Sequence, residues 1–203
     1  MSVPRGYARF ERRGDHVFRK HTYLQYGDQP TSIGSCLLLN PGSAETLHSD
    51  THEVNLDATM KQLDCIIQEI HRGKDINGRF TVYNLFPLQN SSSKHAILTM
   101  ENLMINRALT YEDCLVNVEE LKQHPWILIG WGVMQHSKWT HLQELRTRWM
   151  NTIQEAGIQH FGKQKTPKRY YHPCPQLYKN RLMMVKNIRE LYDETIGGGA
   201  LVN

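Results

Sequence analysis

The plainest pattern in the chain is an apolar run that stops abruptly. Cys36-Leu37-Leu38-Leu39 gives way to Asn40-Pro41-Gly42-Ser43. Consecutive apolar residues without alternation read as a strand buried on both faces, here over 35–39, and Pro41 with Gly42 then ends the ladder and turns the chain. Two further stretches of strand length behave alike: 79–85 leaves through Asn84-Leu85-Phe86-Pro87-Leu88, and 126–130 closes in Gly130-Trp131-Gly132. A short strand is expected at 158–161, and alternating apolar and polar positions over 16–26 predict an edge strand or hairpin. Between these lie stretches of helical period. Leu56, Met60, Leu63, Ile66, Ile67 and Ile70 share one face of a helix over 54–71. One or two helices are expected over 100–123, another over 137–156 capped by Gly157, and a last over 179–192. Strands alternating with helices predict an α/β domain of three layers, α/β/α, around a mostly parallel sheet. The single domain would span 1–203, with residues 1–15 a flexible basic arm and 197–203 a flexible tail.

Composition narrows the class. The chain has 203 residues, 39% of them hydrophobic, enough for a real core. No apolar run reaches the roughly 18 residues of a membrane span, and the polar, Arg-rich start lacks the apolar core of a signal peptide. Cys36, Cys65, Cys114 and Cys174 form no C-x-x-C pair and read as reduced thiols. A cytoplasmic monomer without a membrane partner is expected. The formal charge of +4 is compatible with a polyanionic partner, and equally with an ordinary surface.

In open α/β sheets, ligands bind outside the carboxyl ends of the strands. Three loops are expected there, each holding a polar residue stiffened by proline or glycine: Asn40-Pro41-Gly42-Ser43, Asn84-Leu85-Phe86-Pro87-Leu88 and His172-Pro173-Cys174-Pro175. Each alone is also what a plain strand exit looks like; together they point to one pocket. No cofactor and no metal are expected. Of the eleven histidines only His48 and His52 stand at H-x-x-x-H spacing, none forms H-E-x-x-H, and His48, Asp50 and His52 read as a solvated polar loop before they read as a metal cluster. There is no G-x-S-x-G, no phosphate-binding Walker loop, and no cysteine in an activating context.

The ordered set Leu39-Asn40-Pro41-Gly42-Ser43-Ala44, Asp50-x-His52, Asn84-Leu85-Phe86 and Trp131-Gly132 resembles a small bacterial and phage family of unknown function, whose signature is L-N-P-S-x-A, D-x-T, N-L-F, W-G and a late histidine-proline. Leu39-Asn40-Pro41-Gly42, Asn84-Leu85-Phe86-Pro87-Leu88 and His172-Pro173-Cys174-Pro175 are in turn similar to the motifs of the uracil-DNA glycosylase superfamily. The chain departs from them at Leu39, where glycine is usual, and at Cys174, where serine is usual.

That resemblance implies a uracil-DNA-glycosylase-like fold and a monofunctional DNA glycosylase that flips a base and hydrolyses its N-glycosidic bond. Asn40 would orient the attacking water, and His172 would donate to the base oxygen on which negative charge grows. Asn84 would bind the base edge and Phe86 would stack on its face. Gly42, where the uracil-specific enzymes carry tyrosine, would leave room for a 5-substituted pyrimidine. Ser43, Lys168, Arg169, Lys179 and Arg181 would hold the backbone of single- or double-stranded DNA, and His48 and Asp50 would touch the substituent. A modified base suggests phage defence rather than routine repair. Two rivals are a non-catalytic nucleic-acid-binding module of the same fold and a hydrolase of free nucleosides or nucleotides.

Overall fold

The computed structural model describes residues 3–42, 44 and 52–197. The apolar runs form the strands they predict, within a few residues. In chain order these are β1 (Arg5–Arg13), β2 (His16–Tyr26), β3 (Ser32–Leu38), β4 (Glu53–Val54), α1 (Ala58–His71), β5 (Gly78–Asn84) and α2 (Ser93–Ile105). Then follow the short α3 (Tyr111–Cys114) and α4 (Val118–Leu121), β6 (Trp126–Ile129), α5 (Thr140–Ala156), β7 (Gln159–Phe161), a two-stranded hairpin of β8 (Gln164–Thr166) and β9 (Arg169–Tyr170), and α6 (Arg181–Thr195).

Seven strands make one sheet in the order β4-β1-β2-β5-β3-β6-β7. The half made of β5, β3, β6 and β7 is parallel throughout. The other half is added by antiparallel pairing of β2 to β5, β1 to β2 and β4 to β1. Only β2 and β4 therefore run against the rest, so the sheet is mostly parallel in direction. One face packs under α2 and α5, through Ala96, Ile97, Met100, Leu142, Leu145 and Trp149. The other packs under α1 and α6, through Met60, Leu63, Ile66, Ile67, Met184 and Ile188. Alternation along β3 serves both faces: Cys36 and Leu38 belong to the second core, Leu37 to the first. This is the expected three-layer α/β/α arrangement. No helix among the described residues is long and apolar enough to cross a membrane.

The expected flexible arm at 1–15 is corrected. Residues 5–13 are β1, paired along most of their length with β2. Its inward residues are Gly6 and Ala8, small rather than obviously apolar. A Cβ at Gly6 would stand 2.6 Å from Leu56 Cδ2, so this strand lies closely against the chain entering α1. Its arginines point outward, and Arg13 is engaged by Glu11 at 2.6 Å and Asp113 at 3.0 Å rather than free for phosphate. Of the expected tail at 197–203, residues 198–203 lie outside the described residues.

Candidate functional site

The parallel strands end together on one edge, and a cleft of about 840 Å³ opens there. Asn40, Gly42 and His172 all line it, so two of the three predicted loops converge. Asn40 follows β3 directly. Its side-chain Nδ2 donates to the Pro41 carbonyl at 2.9 Å and to the Asn90 carbonyl at 2.8 Å. Both amide hydrogens are thereby committed to main chain, which fixes the rotamer and leaves Oδ1 as an acceptor.

The loop carrying His172 is held at both ends. Pro173 lies on Gly130 at the end of β6, and Cys174 Sγ reaches the Ala58 carbonyl in the first turn of α1 at 3.5 Å. The Cys174 amide donates to His172 Nδ1 at 3.1 Å. Burial pushes the imidazole pKa below its ordinary value, while the Cys174 backbone and the Asp57 carboxylate pull it the other way. Nδ1 also lies 3.2 Å from the Cys174 carbonyl, so the Cys174 backbone meets this nitrogen with both its N–H and its C=O, and no described residue engages Nε2.

Two other groups line the cleft, Arg19 and Asp57. Phe18 belongs to the first core, but Leu24 and Tyr26 belong to the second, although all three have the same parity. A bulge reconciles them: the β1–β2 register slips between Tyr7 and Arg9, and His21 takes φ 50°. The slip turns Arg19 and Thr22 toward the same face. Arg19 keeps 5% of its exposure, and its Nε and Nη1 have no hydrogen-bond partner among the described residues. Asp57 caps α1, its Oδ1 accepting from the Met60 amide at 2.9 Å, and its Oδ2 stands 3.8 Å from Arg19 Nη1. Asp57 was readable as a cap ahead of the periodic run, whereas Arg19 was not readable without the bulge. Trp131, Tyr171 and Lys163 also line the cleft.

Other expectations are corrected. Phe86 is fully buried in the core with Leu85, Leu88 and Ile97, and lines no cleft, because the exit from β5 turns it under α2 where an aromatic ring gains most from burial. Asn84 lines a second cleft, not the first. Its register opposite Leu38 puts it on the sheet face that Leu38 and Val82 present to the first cleft, and its Oδ1 is buried without a partner. Arg169 is committed to the Val133 carbonyl, at 3.2 Å from Nε and 2.6 Å from Nη2. Arg181 donates to the Pro175 carbonyl at 3.2 Å and lies over the Tyr178 ring. Both brace loops through these bonds and keep their charge, since a carbonyl does not neutralise a guanidinium. Lys168, in the β8–β9 turn, and Lys179 are exposed. Ser43, His48 and Asp50 lie outside the described residues.

Compared with known proteins, the chain matches no family model, no curated protein and no solved structure. The reading of the cleft therefore rests on its own residues.

Proposed function

We propose that the chain is a monofunctional glycosylase, with the uracil-DNA-glycosylase-like fold its motifs resemble, hydrolysing the N-glycosidic bond of a pyrimidine flipped from DNA into this cleft. One observation carries the reading: Asn40 and His172, far apart in sequence, line the same cleft, the first with its amide hydrogens committed and Oδ1 left to accept, the second with Nδ1 held by the Cys174 backbone. Asn40 Oδ1 would hold a water against C1′ of the sugar. His172 Nε2–H would donate to the base oxygen as the C1′–N bond breaks and its electron pair passes to the base. The water then adds to the oxocarbenium carbon, and the proton it releases neutralises the departed base anion. An amide suffices as the water's partner because bond breaking leads and a strong base is not required. With Phe86 in the core, the surfaces left to sandwich a base are Tyr171 and the methionines Met134 and Met183.

The test is incubation with oligonucleotides carrying uracil, thymine, 5-hydroxymethyl and glucosylated pyrimidines, followed by alkali cleavage at abasic sites. Release from 5-substituted bases, lost in both Asn40→Ala and His172→Ala, supports the reading and a role in phage defence. No release from any of them defeats it. Lys163 lines the cleft, so borohydride trapping is included: a trapped adduct would make the enzyme bifunctional.

A second reading gives Arg169 and Arg181 a bracing role only, through their bonds to the Val133 and Pro175 carbonyls. A hydrolase of free nucleosides would act equally on a nucleoside and on a long strand, with little salt dependence.

A further inference from the structure

The least satisfied charge in the cleft is Arg19. Its side chain is 4% exposed, and the carboxylate it faces is too far away for a hydrogen bond, 3.8 Å from Nη1 to Asp57 Oδ2. A buried guanidinium held this loosely costs stability, since desolvation is not repaid by good geometry. What the pair leaves over is ordered. Arg19 carries donors at Nε and Nη1 that are unfilled and shielded from solvent, while Asp57 offers Oδ2, to which no described residue donates. Oδ1 is occupied by the Met60 amide, so Asp57 cannot swing over to meet Arg19 without uncapping α1. Gly42 keeps Oδ2 open: a Cβ at that position would lie 3.0 Å from it. Donor and acceptor thus sit side by side on one cleft wall, each kept from quenching the other.

We propose that Arg19 and Asp57 together read a cyclic amide edge of the ligand, with a ring carbonyl accepting from Arg19 and the neighbouring ring N–H donating to Asp57 Oδ2. The inference rests on reading the cleft as a nucleobase pocket, and it names the class of base: one with a keto group beside a protonated ring nitrogen. It moves edge recognition from Asn84, which does not line the cleft, to two residues that do. Trp131, whose Nε1 is also buried without a partner, borders the same space.

The probes are 2′-deoxyuridine, thymidine and their 3-methyl derivatives: N1 carries the sugar, so methylation at N3 keeps both carbonyls and removes the one remaining ring N–H. Binding is measured by calorimetry on the full chain, independently of base release. Wild type should bind the parent bases at least about tenfold more tightly than the methylated ones, because the methyl leaves Oδ2 unpaired. Asp57→Asn keeps a capping oxygen for α1 and replaces the free acceptor by an amide. It should reduce the preference to under about threefold, in line with the loss of one hydrogen bond. Arg19→Met should weaken both parent and methylated bases, with a melting temperature at or above that of wild type to show that the fold is kept. Equal affinity for parent and methylated bases, unchanged selectivity in Asp57→Asn, or no binding of any probe overturns the proposal, whatever the glycosylase assay shows. Selective binding without base release from any oligonucleotide leaves the pair standing and removes the hydrolase reading instead.

Discussion

Pro173 rests directly on Gly130: a Cβ at position 130 would stand 2.6 Å from the proline Cδ and 3.2 Å from Leu38 Cδ2. The end of β6 thus forms the seat on which the His172 loop is placed against the end of β3. Gly130→Ala should displace that loop. Overpacking of this kind costs about 1–3 kcal/mol, and each kcal/mol lowers the melting temperature by roughly 2–4 °C in a chain of this size. Gly132, two residues on, has φ 83° and nothing within 4 Å of its Cβ position. Gly132→Ala should therefore cost only backbone strain, of order 1 kcal/mol, and leave His172 in place. Thermal melts of both variants, together with base release, distinguish a seat for the loop from a generally intolerant turn.

The contrast between these glycines shows what the sequence could and could not carry. The β3 run, the exits at Asn40 and His172, and the helical period of α1 and α5 are local signals, and the structure reproduces them within a few residues. The β1 strand was illegible because its inner face is Gly6 and Ala8, which a hydrophobic pattern does not register. Phe86 was misassigned because a strand exit sends consecutive side chains to different layers, and the sequence does not say which one. Arg19 was invisible for a related reason: a single bulge at His21 reverses which face it occupies, and a bulge in mid-strand leaves no reliable mark in the sequence. Asn40 and His172 were legible because proline and glycine marked their loops.

His124 provides a pH test of the fold away from the cleft. Its Nδ1 meets Ser32 Oγ at 2.7 Å and its Nε2 meets the Tyr83 hydroxyl at 2.8 Å, while that hydroxyl donates to Glu120 Oε1 at 2.9 Å. The Tyr83 oxygen therefore accepts from Nε2–H, and Nδ1 accepts from Ser32. Burial pushes the imidazole pKa down to about 4. Between pH 6.5 and 4 the unfolded chain takes up a proton that the folded chain refuses. Stability is therefore constant above about pH 6.5 and falls as pH drops through that window, by up to about 3 kcal/mol. Urea melts from pH 7.5 to 4 should show this slope, and His124→Gln should flatten it while lowering stability at pH 7.5. An unchanged slope in the variant would assign the effect to other groups, His172 among them.

The four thiols should separate by chemistry. Cys36 is fully buried, and burial raises its pKa far above the ordinary thiol value; Cys114 is pushed up to about 12 by burial, with Asp113 adding to the rise. Neither should react with an aromatic disulfide reagent before unfolding, since the thiolate is the nucleophile. Cys65 is exposed and should react at once. Cys174 lines the cleft, half-buried, with its pKa raised by burial, and should react slowly. A base bound in the cleft should slow Cys174 further and leave Cys65 unchanged. Mass spectrometry of labelled peptides reads all four at once, and protection of Cys65 instead would place the ligand elsewhere.

Asn40→Asp is the sharpest single change at the site, because it alters hydrogen bonding with almost no change of shape. The amide now donates to two carbonyls, of Pro41 and Asn90. A carboxylate donates to neither and sets its own charge against both. The cost at pH 8 should be about 2–4 kcal/mol, the sum of two unsatisfied acceptors and their repulsion. Those same carbonyls favour the protonated acid, which can donate once, so the folded-state pKa of the new carboxyl rises above its unfolded value. A raised pKa contributes stability below the unfolded value, and that contribution is lost as pH rises through the folded one. The deficit relative to wild type should therefore be smaller at pH 5 than at pH 8, even though wild type itself weakens at low pH through His124. Paired urea melts at the two values check the sign. An equal deficit at both would mean that the side chain leaves its two carbonyls and turns into the cleft, and base release would then report a carboxylate in place of the amide.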